Sequence, residues 1–203
     1  MISIDPNTLD NRGNYKLLTG SIIPRPIAFV TTLSEHGVLN GAPFSYFSIV
    51  SAAPPLISVS VQRVNGKQKD TARNAAQAGE FVVHITDEDN VEAVNKTAAA
   101  LPPTESEVEA AGLTPLPSSV VKVPGIAESK MRMECRLERS IPLGEEGQEP
   151  SCDLLIGRVV CYHISEEVYQ NTYIDPSALR AVSRLAGNDY AKLGERFILE
   201  RPN

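Results

Sequence analysis

Alternation of apolar and polar residues predicts several β-strands in this chain. In Leu56–Gln62, isoleucine and valine alternate with serine and glutamine, which is the period of a half-buried strand. In Met131–Glu138, apolar residues alternate with arginine and glutamate, so one face is predicted to lie in the core and the other in water. Asp153–Ser165 has apolar residues on both faces and is therefore predicted to be a central strand.

Other strands are predicted from their β-branched and aromatic residues. Pro26–Leu33 and Val38–Val50 flank a turn in which Gly37 takes a positive φ, so they are predicted to form a hairpin. Glu80–Thr86 is a further predicted strand, and Glu195–Leu199 is predicted to close the sheet.

The helical signals are short. Gln68–Ala78 has alanines at helical spacing and ends at Gly79, which is suited to a helix C-terminus. Asp87–Ala100 is predicted to be a second helix. The proline-rich segment Leu101–Glu128, called the excursion below, is predicted to be irregular apart from one helical turn near Glu105–Ala111.

Six or seven strands at hairpin-like spacing favour a mainly β protein. Because the strands do not alternate regularly with helices, a Rossmann sheet is disfavoured, and an antiparallel barrel with inserted short helices is favoured. The 203 residues correspond to roughly 1.4 domains of about 150 residues. We predict an N-terminal arm, residues 1–19, with a short helix around Asn14–Leu18, and one domain, residues 20–203.

Charge and cysteine content disfavour several classes of function. The net charge of −6 disfavours nucleic-acid binding, because an acidic surface repels phosphate backbones. Three cysteines without a CxxC pair suit a reducing compartment and give no zinc spacing. With no signal-peptide pattern and no apolar run of roughly 18 residues, we expect a cytoplasmic protein with no membrane partner.

Candidate chemistry is concentrated in the first third of the chain. Asn40–Phe47 places glycine and proline inside a strand run, which often marks a bulge or the close approach of a ligand. Lys69-Asp70-Thr71 begins a helix, and a cation and a hydroxyl at a helix N-terminus suit a phosphate. The glycine-rich nucleotide motifs, the nucleophile elbow and the zinc-protease motif are absent from the sequence. His84 is interpreted as an ordinary strand residue, and Cys135 and Cys161 as buried inert thiols, whereas Cys152 is predicted to lie in a loop.

In order along the chain, six segments resemble the flavin reductase-like FMN-binding family over about residues 20–199. The segments are Ile23–Thr32, Asn40–Phe47, Pro54–Ser60, Lys69–Thr71 with Asn74, Gly79–His84 and Arg184–Tyr190. Two positions depart from the family pattern: Gly41, where a larger residue is expected, and Ala186, where glycine is expected.

The resemblance implies a Greek-key split β-barrel that binds FMN non-covalently and forms a homodimer. It also implies hydride transfer from NADH or NADPH to the flavin, as in many members, with the chemistry carried by FMN and neither a catalytic side chain nor a metal required. Two alternatives remain. One is a flavoredoxin-like electron carrier that does not use nicotinamide directly, and the other is a non-enzymatic split-barrel module for another ligand.

The resemblance also implies a set of cofactor-binding residues. They are Arg25, Thr31, Thr32, Asn40, Ala42, Pro43, Phe44, Ser45, Ser60, Lys69, Thr71 and Tyr190. Lys69 and Thr71 would hold the phosphate, with Arg25 as a second candidate cation. Residues 40–45 would contact the isoalloxazine edge, and residues 31–32 would lie near the ring or the ribityl chain. Ser60 would meet the ribityl chain or the phosphate. Tyr190 would approach the ring from this chain or from a partner subunit. The excursion and the segment 184–190 would contribute to the dimer interface.

Overall fold

Strands outnumber helices in the computed structural model, which describes residues 1–202. The strands are β1 (Arg25–Pro26), β2 (Ala28–Leu33), β3 (Leu39–Phe44), β4 (Phe47–Ala52), β5 (Pro55–Gln62), β6 (Glu80–Ile85), β7 (Pro115–Leu116), β8 (Gly125–Ile126), β9 (Met131–Leu143), β10 (Cys152–Ile164), β11 (Tyr169–Gln170), β12 (Tyr173–Ile174), β13 (Val182–Arg184) and β14 (Tyr190–Lys192). The α-helices are α1 (Asn11–Ser21), α2 (Asp70–Ala78), α3 (Val91–Lys96), α4 (Glu107–Ala110) and α5 (Pro176–Leu179). Among these helices, none has the length and apolar content to cross a bilayer in residues 1–202.

One seven-stranded antiparallel sheet, with strand order β3-β2-β6-β9-β10-β5-β4, forms the body of the fold. The predicted hairpin is confirmed for β2 and β3, which pair Thr31 with Gly41 across a turn where Gly37 has φ 80°. Phe44 of β3 and Val59 of β5 lie in the same buried core, although their strands are at opposite sides of the sheet. The sheet therefore curls around its core, and the predicted antiparallel, mainly β class is confirmed.

The prediction that β9 has one face in water is confirmed for Arg136 and Glu138, which are exposed, and was wrong for the first half of the strand. Arg132 and Glu134 are buried, with Glu134 at 0% exposure. The excursion folds over this face and supplies a second apolar cluster against β2 and β6. Its buried side chains in that cluster are Val108, Leu113, Val121, Val123 and Ile126. The polar residues Arg132 and Glu134 are thus covered by the segment that precedes the strand rather than by water.

Three other boundaries differ from the prediction. Glu195–Leu199 forms no strand; Ile198 is 92% exposed, and no described sheet edge pairs with this segment. Helix α3 ends at Lys96, because the following amides bond to carbonyls three residues back and tighten the chain into turns. Helix α1 is longer than predicted, because Asp10 caps it by accepting from the Gly13 amide. The predicted boundary between arm and domain falls inside α1, and this domain division stays a prediction.

His84 connects the main sheet to the excursion. Its Nε2 accepts a hydrogen bond from the Ile126 amide (3.0 Å), so Nδ1 carries the proton and donates to the Phe29 carbonyl (3.0 Å). Burial lowers the pKa of His84 to about 4, against the opposing effect of the Phe29 bond and with a further contribution from the charge of Arg132. The neutral ring is therefore part of the folded structure.

This geometry predicts that stability falls as the pH decreases through the range below 6.5. The unfolded state binds a proton on His84 near its ordinary pKa of 6.5, whereas the folded state resists it down to about 4. We expect the unfolding free energy to decrease by about 2 kcal/mol between pH 7 and pH 5 from this residue alone. Denaturant titrations at both pH values measure the decrease. The decrease should be smaller in His84→Gln than in wild type. In His36→Gln, whose side chain is exposed, the decrease should equal that of wild type. An equal decrease in His84→Gln and wild type would contradict the assignment.

Candidate cofactor-binding site

A cleft runs along Pro43 and Phe44, where β3 ends. It has two adjoining parts, of about 420 and 210 Å³, whose walls share Pro43, Phe44 and Ala98. The larger part has the size typical of cofactor sites, which are commonly about 300–1,000 Å³. The two ends of the cleft differ in chemistry. Lys69 and Thr71 lie at one end, and Arg184 and Tyr190 lie at the other.

The first end is the N-terminus of α2. Lys69 is the N-cap residue, its side chain is exposed, and within residues 1–202 no side chain caps the first turn. The amides of this turn therefore face the cleft without an intrahelical acceptor. Asp70, the acidic residue of the turn, is ion-paired with Arg73 on the same helix. Free amides, the positive end of the helix dipole and an exposed ammonium together form an anion-binding end.

A buried polar network lies beneath this end. Asn40 Oδ1 accepts from the hydroxyls of Thr71 (2.9 Å) and Thr32 (3.2 Å). Asn40 Nδ2 donates to Glu107 Oε2 (2.9 Å), which also accepts from the Gly41 amide (3.3 Å). The Thr71 hydroxyl proton is thus committed to Asn40 and is not available to a group in the cleft. Thr32 is fully buried behind the wall of the cleft.

Glu107, which sequence analysis did not find, lies in the wall of the cleft on α4. Burial raises the pKa of its carboxyl, the bonds from Gly41 and Asn40 oppose this rise, and the charge of Asp70 adds to it. Gly41 also explains one departure from the family pattern. A Cβ at Gly41 would lie 2.7 Å from both the Phe29 ring and the Val108 side chain. Only glycine lets α4 pack this close to β3.

The second end of the cleft is built by Arg184 at the end of β13 and Tyr190 at the start of β14. The Arg184 guanidinium lies 4.5 Å from the centre of the Tyr190 ring, and the Tyr190 hydroxyl donates to Asn95 (2.8 Å). The ring and the cation thus hold each other in place at the mouth of the cleft. Asn95 and Arg184 were absent from the predicted binding set. Arg184 lies in one of the six segments that resemble the family, so the sequence contained a signal that could have identified it as a residue of the cleft.

Arg25 is placed behind the cleft rather than in its wall. It is 6% exposed, and its guanidinium donates to the carbonyls of Thr19 (2.7 Å), Ile22 (2.6 Å) and Leu185 (2.8 Å). Its Nε also donates to the Ser45 hydroxyl at 3.4 Å. Arg25 therefore ties α1 to Leu185, and of the two candidate cations only Lys69 lines the cleft. Ser45 keeps its own hydroxyl proton for a partner in the cleft.

Besides Arg25 and the buried Thr32, two predicted residues lie outside the walls of the cleft. Thr31 is fully buried and donates to the Pro124 carbonyl (2.7 Å), which fastens the excursion to β2. Ser60 accepts from Gln62 on β5 (3.1 Å). The structure brings the remaining predicted residues together along the cleft, with Thr32 contributing only from behind. Those in the walls are Asn40, Ala42, Pro43, Phe44, Ser45, Lys69, Thr71 and Tyr190.

The curled antiparallel sheet with a cleft beside the start of a helix defines a split β-barrel with a cofactor-type site. The family model described as Flavin reductase like domain matches residues 19–182, and the chain belongs to this family. The protein BH2278 of Halalkalibacterium halodurans is 56% identical over 202 residues, which are 99% of this chain and 97% of that protein.

Two solved structures are similar over nearly the whole chain. Nitrilotriacetate monooxygenase component B from Bacillus cereus has a TM-score of 0.97 and 62% identity, with 98% of each chain covered. The 2-nitrobenzoate 2-nitroreductase NbaA of Pseudomonas fluorescens has a TM-score of 0.83 and 31% identity, with 99% of this chain and 96% of that chain covered. The recognition of the family from its ordered segments is thereby confirmed.

Proposed function

We propose that this protein is an FMN-binding oxidoreductase that transfers hydride from NADH or NADPH to the flavin. The observation that carries the proposal is the cleft beside the uncapped start of α2, with Lys69 at its rim, in a chain of the flavin reductase-like family. The names of the two similar structures, a monooxygenase component and a nitroreductase, both describe redox proteins and support the class of reaction.

The donor set of the cleft fits FMN. A dianionic phosphate matches the free amides of the first turn of α2 and the Lys69 ammonium. The strip formed by Ala42, Pro43 and Phe44 offers an apolar edge to the isoalloxazine ring. When bound, FMN would supply the hydride-accepting and electron-releasing chemistry. In this proposal FMN carries the chemistry, and no general acid or base is needed from the chain.

Ser45 is the residue we assign to the charge of the reduced ring. Its oxygen is occupied by Arg25 Nε, so its hydroxyl proton is free to donate into the cleft. A donor preorganised in this way stabilises charge that develops during reaction without further rearrangement. The Tyr190–Arg184 stack borders the same part of the cleft and would limit the access of water to one side of the ring.

Anaerobic mixing tests this function. The purified protein with bound FMN is mixed with NADH or NADPH, and the flavin absorbance is followed. Bleaching with at least one nicotinamide, faster than in free FMN, is the expected result. Bound FMN that is bleached by dithionite but by neither nicotinamide would indicate the electron carrier instead. A colourless protein that does not bind added FMN would indicate a module for another ligand.

The three free cysteines are consistent with a cytoplasmic location, which we propose as part of this function.

We also propose a homodimer and locate its interface away from the excursion, most of whose large apolar side chains are packed within the chain. The free apolar surface lies on α1, on the edge strand β4 and on the C-terminal tail. Its exposed side chains include Leu17, Leu18, Ile22, Ile49, Val50, Phe197, Ile198 and Leu199. Exposed apolar side chains grouped on one element, as on α1 and on the edge strand, are typical of an interaction site in a folded protein.

The expected oligomer is therefore a dimer that Ile49→Lys dissociates. Ile49 is 80% exposed on the edge strand, so a buried lysine at the interface would lose hydration without a partner. Leu116→Lys, at a 38% exposed position of the excursion, is the matched control and should leave the dimer intact. Light scattering at micromolar concentration with FMN present measures both variants. A wild-type monomer, or dissociation by the control alone, would refute the assignment.

A further inference from the structure

Three side chains with metal-binding atoms converge where β9 and β10 pair. Glu134 lies directly across from Cys161 in the register, and His163 lies two residues further along β10 on the same face. His163 Nε2 is 2.5 Å from Glu134 Oε1 and 3.6 Å from Cys161 Sγ. All three candidate ligand atoms lie within 4.8 Å of one another. None of these residues lines the flavin cleft.

The carboxylate of this cluster is fixed from behind. Glu134 is fully buried, and its oxygens accept from the amides of Ser119 (2.6 Å), Val120 (2.7 Å) and Val121 (2.9 Å). Such hydrogen bonds to a carboxylate are the outer-shell support found around protein metal ligands. His163 and Cys161 are partly exposed, so an ion can reach the cluster from solvent.

An ion pair between His163 and Glu134 explains only part of this arrangement. Both Oε1 and Sγ face the same nitrogen, and one N–H cannot donate well to two acceptors in different directions. Three atoms around a common point are instead the arrangement of a metal centre. We propose that Glu134, Cys161 and His163 bind a divalent ion of the Zn²⁺ class, with water in the fourth position. Nitrogen, sulfur and carboxylate ligands are those that Zn²⁺ accepts, and a thiolate disfavours Mg²⁺ and Ca²⁺.

Two of the three distances between the ligand atoms can be compared with those of a tetrahedral site. Zn–N and Zn–S bonds of about 2.0 and 2.3 Å in a tetrahedral site separate the two ligand atoms by about 3.6 Å, which matches the Cys161–His163 distance. The Glu134–His163 distance would widen by about 0.8 Å as the ion replaces the proton between them. Binding displaces the Cys161 thiol proton to solvent. The His163 Nε2 proton also leaves or, for a neutral ring, moves to Nδ1, so the imidazole binds in its neutral form.

Because Glu134 also holds the amides of residues 119–121, the bound ion would fasten the excursion to the sheet through one carboxylate. The ion would therefore stabilise the fold, and its binding is expected to be independent of FMN. This separates the inference from the proposed function, since failure of either leaves the other unaffected.

Titration of the metal-free protein with Co²⁺ is the direct test. One equivalent should produce a thiolate-to-cobalt charge-transfer band together with d–d bands of a tetrahedral site, and added Zn²⁺ should abolish both. Cys161→Ser and His163→Gln should lose the charge-transfer band or lower the affinity by more than about 100-fold, because the loss of a direct ligand exceeds the effect of losing an outer-shell partner. Cys152→Ser, which removes the other partly exposed thiol, should bind as wild type does.

Thermal unfolding gives a second readout. Zn²⁺ in excess should raise the melting temperature of wild type and Cys152→Ser but not that of Cys161→Ser, since a ligand stabilises only the state that binds it. Far-ultraviolet circular dichroism confirms that each variant is folded before titration. The proposal is overturned if wild type gives no charge-transfer band, or if the band survives in Cys161→Ser and disappears in Cys152→Ser.

Discussion

Lys69→Ala is expected to weaken FMN binding by about 10- to 150-fold and to leave riboflavin binding almost unchanged. Lys69 is exposed at the uncapped start of α2, where its ammonium can reach a phosphate but packs against no core side chain. A hydrogen bond to a charged group contributes about 1.5–3 kcal/mol, which corresponds to that loss of affinity. Riboflavin has no phosphate and therefore loses no contact. Quenching of flavin fluorescence measures both affinities.

The matched control is Lys67→Ala, an exposed lysine two residues away that does not line the cleft. This variant should bind FMN nearly as wild type does. The melting temperatures of both apoproteins should stay close to wild type, because exposed substitutions usually change stability by within about 0.5 kcal/mol. If Lys69→Ala weakened FMN and riboflavin equally, Lys69 would have a structural role and the phosphate would be held elsewhere.

Glu134→Gln is expected to lower the free energy of unfolding by about 1–3 kcal/mol at pH 7, because it leaves buried backbone amides without the carboxylate oxygens that accept from them. Burial alone would raise the pKa of Glu134. The bonds from Ser119, His163, Val121 and Val120 outweigh it and lower the pKa to about 2. The carboxylate is therefore ionised at neutral pH. An amide at this position would turn an NH₂ group toward donors and leave one or more amides unpaired.

Glu138→Gln is the control on the same strand. Glu138 pairs with Arg158 on a half-exposed surface, and such pairs contribute about 0–1 kcal/mol. Urea denaturation of the two variants gives the comparison without requiring any ligand. Equal, small effects of both substitutions would show that the buried carboxylate does not hold the excursion on the sheet.

The main strands could be predicted from short-range patterns, since alternation in β5 and the turn at Gly37 depend on neighbouring residues only. The burial of Glu134 could not be predicted from such patterns. Its alternation is the same as that of a solvent-facing strand. The difference arises because the excursion, which directly precedes β9, folds back so that the amides of residues 119–121 bond to Glu134. The apolar residues of Glu195–Leu199 predicted a strand that does not form, because a strand also requires a neighbouring strand with which to pair.

The cleft was predictable to the extent that its residues stand in contiguous motifs. Asn40–Ser45 and Lys69–Thr71 are such motifs, and the structure brings them together. Glu107 was not predictable, because only the fold places α4 beside Gly41. Arg25 is a residue that the sequence placed at the cofactor but that the structure places behind the cleft. Its charge suggested a phosphate ligand, but the carbonyls at the end of α1 surround its guanidinium.

Calorimetric titration of the wild-type apoprotein with FMN and with riboflavin, under identical conditions, tests the central claim most directly. The account predicts one FMN per chain and an affinity for FMN that exceeds the affinity for riboflavin by about tenfold or more, the minimum contribution of the phosphate contacts at α2. Absence of FMN binding, or equal affinities for the two flavins, would contradict the assignment of the cleft as an FMN site with its phosphate at the start of α2.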